Sequence, residues 1–292
     1  FVKDFFDDDG FPHTRNPNDL LFLSKYLIFC REIIKDAQEY IPEFLEHIIE
    51  KNLSCLNFVS CPESQLPLFN GSSENFLNPL DEYLIEVNKN KNIKKIVGGL
   101  FKLKQKNHLI FFDVGQPPEK KFSKCYQAGP LSFEYFIDGV KVISNSGFGN
   151  NISKKAKFIS RLTACQSTLT LNDTSVTKFE RNRMINKVFG NSIKNSFKVY
   201  NVDIGNEKNF TSCSAEHNGY EENFGCTHKR EIILDKELNY LKGHDHIFKK
   251  KDGIPIRYIF RFHINPELSV VKTMSGNSAL IQISKNKSLI FT

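Results

Sequence analysis

Apolar residues recur at helical spacing from Asn18 to about Tyr40. Leu20, Leu23, Leu27, Ile34 and Ala37 share one face, joined by Leu21, Ile28 and Phe29, so the stripe is wide enough to pack on two sides. Asn16 is placed to cap this helix and Pro17 to open its first turn. Pro42 starts a second helix, in which Phe44, Leu45, Ile48, Ile49, Leu53 and Leu56 carry the pattern to about Phe58. A short joint between the two predicts an antiparallel hairpin. Two helices are too few for a domain, so the pattern reads as the end of a larger helical domain. Residues 60–78 are punctuated by Pro62, Pro67 and Asn70-Gly71-Ser72-Ser73 and read as loop, and Leu80 to about Val87 as one short helix.

After residue 93 the period changes from 3.6 to 2. Ile96 to Leu103 and His108 to Val114 read as paired strands, and Leu131 to Phe136 with Val140 to Ser144 as a hairpin around Asp138-Gly139. Further strands are predicted at 167–172, 176–181, 197–204, 229–234, 238–247, 256–264, 268–274, 279–283 and 288–292. Helices first and short strands afterwards predict an α+β chain: a helical remnant over residues 1–90, then a large antiparallel β-sandwich over 91–292. The polar stretch from His217 to Arg230 reads as a loop between strands. It is either an ordinary turn or a place for chemistry, because it presents ring nitrogens, a phenol and an arginine from a sheet edge.

Composition narrows this only slightly. The chain is 40% hydrophobic and 25% charged, which permits a sizeable core. The net charge of +7 suits an acidic partner such as a uronic-acid polysaccharide, but the lysines are scattered and no nucleic-acid-binding signature stands out. Seven cysteines without a C-x-x-C pair read as free thiols. No apolar run approaches the ~18 residues of a membrane span. The first residue is Phe1, so an upstream segment with any signal peptide is expected to be missing, and localisation stays open between cell envelope and cytoplasm.

Five clusters then carry chemistry: Gln127-Ala128-Gly129-Pro130-Leu131-Ser132-Phe133-Glu134, Arg161 to Leu169, His217 to Arg230, Leu241 to Asp245, and Arg261 to Pro266. In this order they resemble the heparinase II/III-like family of polysaccharide lyases, chiefly its bacterial C-terminal β-domain. Asp9-Gly10, Arg15-Asn16-Pro17 and Leu68-Phe69-Asn70-Gly71 around the helical hairpin resemble the end of that family's α/α toroid. There are departures. The family usually carries histidine where this chain has Gln127 and Gln166. Asn265 replaces the second histidine of the R-F-H-x-H-P form, and His13 stands one place beyond the expected position, which Pro12 fills. No clear match to the catalytic tyrosine of the better-known lyases is found.

The resemblance implies β-elimination at a uronic acid. That reaction needs the C5 carboxylate neutralised, a base for the C5 proton and an acid for the departing O4. It assigns His217, Tyr220, His228 and Gln166 to the catalytic group. It assigns His13, Arg15, Asn16, Gln127, Arg161 and Arg230 to binding the acidic polysaccharide, across a cleft between the two domains. The family's β-domain histidines help form the site or bind a structural zinc. His217, His228 and His263 leave such a zinc chemically conceivable, but with two family histidines replaced no metal or other cofactor is expected. Glutamine keeps hydrogen bonds and loses proton exchange. The alternative is therefore a glycan-binding or cell-envelope protein that kept the scaffold without the catalysis.

Overall fold

The computed structural model describes residues 2–74, 78–87, 94–237, 240–250 and 256–292; the expected domain boundary near residue 90 lies outside them. A single turn, α1 (Val2–Phe5), precedes the two expected long helices, α2 (Pro17–Asp36) and α3 (Glu43–Val59). Asn16 caps α2 as predicted, its Oδ1 accepting from the Asn18 N–H at 2.9 Å. Leu20 and Ser24 of α2 are buried, while Phe22, Tyr26, Phe29 and Ile33 on its other side are exposed. A shorter helix follows, α4 (Pro79–Val87). No described helix is long and apolar enough to cross a membrane.

Fifteen described strands come next, with three short helices, α5 (Lys154–Ile159), α6 (Arg183–Phe189) and α7 (Glu221–Phe224), that the pattern did not predict. The first sheet has the order β1 (Ile96–Val97), β2 (Leu100–Gln105), β3 (His108–Asp113), β4 (Phe133–Ile137), β5 (Val140–Ser144), β12 (His263–Ile264). The second runs β10 (Leu241–Lys249), β9 (Cys226–Asp235), β8 (Phe210–Tyr220), β7 (Val199–Asn206). Two small sheets complete the β-part: β11 (Tyr258–Phe260) with β6 (Leu169–Leu171), and β13 (Val270–Lys272), β14 (Ala279–Ser284) and β15 (Lys287–Phe291). Every pairing is antiparallel. The chain is thus α+β, with a helical part followed by a large antiparallel β-sandwich.

Two cores share the first sheet. Phe101, Leu103, Ile110, Phe112, Phe133 and Tyr135 face the second sheet, where Val199, Cys213, Ala215, Ile232 and Leu234 meet them. Leu100, Leu109, Phe111 and Phe136 face the other way, onto Leu20, Leu56, Phe58 and Val59 of the helices. β3 is therefore buried on both faces, which explains its unbroken apolar run Leu109-Ile110-Phe111-Phe112. Burying each of those side chains is worth ~1.5–3 kcal/mol.

Three expectations are corrected. Residues 96–103 are two strands, because Gly98 and Gly99 turn the chain at φ 55° and 74°. A Cβ on Gly98 would lie 2.5 Å from the Phe11 ring and one on Gly99 2.6 Å from the Arg15 guanidinium, so both glycines admit the helical part against the sheet. Residues 176–181 form no strand; only Phe179 bridges to Ile193. The supposed loop from His217 to Arg230 is mostly strand, the ends of β8 and β9 joined by α7 with Gly225 at φ 63°. β8 went unseen because Thr211, Ser212, Ser214 and His217 are polar yet buried, which hides the alternation.

Candidate functional site

β8 and β9 pair with His217 opposite His228, and β10 brings Asp245 opposite Arg230. Both imidazoles are buried. The Gly219 N–H donates to His217 Nδ1 at 3.1 Å, so the proton of a neutral His217 ring sits on Nε2. That Nε2–H points at His228 Nδ1, 3.2 Å away, which puts the His228 proton on Nε2, 2.6 Å from Asp245 Oδ1. The partners thus determine both tautomers, and the chain of donors runs one way from a backbone amide to a carboxylate.

Arg230 closes this chain. Its Nε and Nη2 donate to the two oxygens of Asp245 at 2.8 and 3.1 Å, and its Nη1 to the Leu131 and Ser167 carbonyls at 2.9 and 2.8 Å. Burial drives His217 well below the ordinary imidazole pKa, and the neighbouring His228 and Arg230 add to it. Burial also lowers His228, outweighing its bond to Asp245. Burial would raise Asp245, but the His228 bond and the Arg230 charge prevail and hold it far below the usual carboxylate range. Tyr220 packs beside His217, ring centroids 5.7 Å apart, and donates its hydroxyl to the Leu169 carbonyl at 2.9 Å. Burial pushes its phenol upward.

A second cluster lies on the first sheet's side. Gln127 accepts from the Gly71 N–H at 3.0 Å and donates to the Gly147 and Ser160 carbonyls at 2.9 and 2.8 Å. Gln166 Nε2 donates to the same Ser160 carbonyl at 2.8 Å. The two glutamines thus meet at one oxygen, and Gln127 also ties the helical part to the β-part. Zinc is taken by thiolate, imidazole or carboxylate donors. Gln127 and Gln166 offer neutral amides whose N–H groups are committed to carbonyls, so they do not fit that metal. His263 does not join the other histidines either: its Nε2 lies 3.1 Å from the Ala164 carbonyl. Among the described residues no three His, Cys, Asp or Glu side chains are placed to hold a metal. Purified protein is expected to carry well below one zinc per chain and to keep its thermal midpoint when treated with a chelator. Elemental analysis with a thermal melt checks this, and stoichiometric zinc together with a midpoint lowered by chelation would refute it.

The remaining candidates stand elsewhere. Arg15 donates to Asp113 at 2.5 Å and to the Gly98 and Gln116 carbonyls at 2.9 and 3.0 Å, bracing the helical part on the sheet. Arg161 donates to the Tyr126, Ser123 and Asn191 carbonyls at 2.8, 2.9 and 2.5 Å and lies over the Phe179 ring; burial brings its pKa down to about 10. Asn16 is the α2 cap. His13 is exposed and stacks on Phe122, ring centroids 5.2 Å apart. Of the residues assigned to the glycan, only His13 is exposed. Asp113 and Ser160 carried no usable signal in the sequence. Asp245 did, as the last residue of the Leu241 to Asp245 cluster, and its role was missed.

Three of the other clusters bond directly to residues 160–168, which hold most of the Arg161 to Leu169 cluster, and the Leu241 to Asp245 cluster joins them through Arg230. Gln127 reaches Ser160, and Arg230 reaches Ser167 while carrying Asp245 with it. The His263 N–H donates to Ser167 Oγ at 3.0 Å, and the Arg261 N–H to the Thr168 carbonyl at 3.1 Å.

Solved structures share this arrangement of elements. The heparan sulfate lyase HepC from Pedobacter heparinus matches 99% of this chain with a TM-score of 0.73 at 16% identity. A heparinase III matches 99% with 0.72 at 12%, and the heparinase III BT4657 gene product 97% with 0.71 at 15%. At these identities the likeness is one of fold. The chain covers 46%, 48% and 45% of those structures, so it spans about half their length. No curated protein sequence matches it. The fold is the one these solved lyase structures share over the matched region, a β-domain preceded by helices. The model of the heparinase II/III-like C-terminal region matches residues 95–292, and the chain belongs to that family, as its five clusters predicted.

Proposed function

We propose that the chain is the C-terminal part of a polysaccharide lyase that cleaves an acidic, uronic-acid-containing glycan by β-elimination. The observation that carries this reading is the convergence of four separated clusters, directly or through Arg230, on the fifth at residues 160–168, the clusters through which the chain resembles its family. His217 is the buried site histidine whose tautomer both neighbours fix. Its Nδ1 lone pair accepts from the Gly219 N–H, and its Nε2–H leads through His228 to Asp245, so in this reading the neutral ring acts through fixed hydrogen bonds. Tyr220, Arg161 and Arg230 act as positioning residues in this reading, because their donors are used within the fold. Exposed His13 is the side chain free to touch the polymer.

One observation favours a second reading, a glycan-binding protein on the same scaffold. Gln127 and Gln166 sit where the family carries histidine, and their amides exchange no proton at neutral pH. Ultraviolet absorbance during incubation with a panel of uronic-acid polysaccharides decides between them, since β-elimination leaves a conjugated unsaturated uronate. A rise with one glycan that His217→Gln abolishes is the expected result. A flat trace with glycan binding retained favours the second reading, and a flat trace without binding overturns both.

A further inference from the structure

β2 emerges from under the helical hairpin. Leu100 is fully covered by it, Lys102 is half-buried, and Lys104 and Lys106 are exposed. A groove of about 470 Å³ opens there, lined by the three lysines, the turn at Ser60 to Pro62 that ends α3, and His108. Lys102 donates to the Phe58 carbonyl in the last turn of α3 at 2.5 Å, and its ammonium stands 5.5 and 5.3 Å from the Phe58 and Phe111 ring centres. Burial lowers its pKa to about 8; Cys61 opposes that shift and Lys104 adds to it.

Charge in this groove is uncompensated. Among the described residues, none of the three lysines has a carboxylate within ion-pairing distance, whereas Lys25 pairs with Asp81 and Lys141 with Glu134. The only carboxylate among the described residues lining the groove, Asp138, is already held by Lys287 and Asn107. Lys106 reaches only the Lys236 carbonyl among its described partners, at 2.8 Å. Three ammonium groups around one concave surface repel one another and focus a positive potential into it. Alternate strand residues lie ~6.6–6.8 Å apart, so Lys102 and Lys104 present separate charges along one line.

We propose that this groove is an anion subsite that takes the carboxylate or sulfate-ester groups of an acidic glycan, away from the residues gathered around 160–168. The choice of a glycan rests on the function proposed above; the choice of an anion rests on the lysines alone. An anion here would meet three hydrogen-bond-donating cations at the junction of the helical and β-parts.

The test compares Lys104→Ala/Lys106→Ala with Lys154→Ala/Lys155→Ala, which removes the same charge from exposed positions on α5. Calorimetric titration of the full chain uses one sulfated and one unsulfated polyuronate. The groove variant is expected to bind about tenfold more weakly with a flatter salt dependence, and the α5 variant to change less than about twofold. Loss with the sulfated polymer alone assigns the sulfate ester, and loss with both assigns the carboxylate. Equal losses in the two variants, or none in either, overturn the subsite. If the unaltered chain binds neither polymer, the acidic-glycan reading fails separately, and inorganic sulfate becomes the probe. Protection of Lys104 and Lys106 from acylation by sulfate, with Lys154 and Lys155 unprotected, then upholds an anion subsite; no protection overturns it.

Discussion

Arg230→Met is expected to cost the fold ~3–5 kcal/mol, the range seen when one partner of a buried ion pair is removed. The Arg230 side chain is 2% exposed and that of Asp245 15%, so water repairs little of the damage. Three acceptors lose donors at once: the Asp245 carboxylate and the Leu131 and Ser167 carbonyls. The last two belong to the other side of the sandwich, so the second sheet loses its tie to residues 160–168 as well. Arg230→Lys should recover only part, because an ammonium lacks the planar fork that spans both carboxylate oxygens and the two carbonyls. Chemical denaturation of wild type and both variants measures it. A loss below ~1 kcal/mol for the methionine variant would mean that the guanidinium does not hold the two sides together.

Acid is expected to unfold the chain earlier than carboxylates alone would require. His217 and His228 are held neutral, both below their ordinary pKa, with burial the first cause. In the unfolded chain the same rings take up protons near pH ~6.5. Below that point the unfolded state binds more protons than the folded one, so stability falls with falling pH until the folded-state values are reached. Each ring contributes a slope of up to ~1.4 kcal/mol per pH unit, so the pair contributes roughly twice that. Asp245, held low in the fold, adds to the loss in the same direction once pH drops below ~4. Denaturant midpoints at about pH 7 and about pH 5 in wild type and His217→Gln provide the comparison. The variant is expected to be less stable near neutrality and to lose less on acidification, because one titrating ring is gone. Parallel losses in the two proteins would show that His217 takes no part in the acid response.

Local pattern carried much of the architecture. The wide apolar stripe after Pro17 and the second stripe after Pro42 became α2 and α3, and the cap at Asn16 formed as its chemistry required. The order of five clusters was enough to recognise the family, whose C-terminal model matches residues 95–292. Other elements were hidden. β8 buries hydroxyls and an imidazole whose polarity reads as loop, and only the partners on β9 and the facing core make that burial tolerable. The Gly98-Gly99 turn looked like the middle of a strand, since nothing local shows that Phe11 and Arg15 press against it.

The sequence by itself determined the two long helices, most of the strands with their apolar faces, and which side chains have the chemistry to hold an anion or move a proton. These follow from residue type and spacing over a few neighbours. Only the tertiary structure decided which of those side chains meet. It joined His217 and His228 to Asp245 and spent the guanidiniums of Arg15, Arg161 and Arg230 on carbonyls and carboxylates inside the fold. It brought Gln127 and Gln166 to one oxygen and left three lysines of β2 and its following turn without counter-ions. The reason is that a polar group's role depends on its partner, and these partners lie 6 to 101 residues away along the chain.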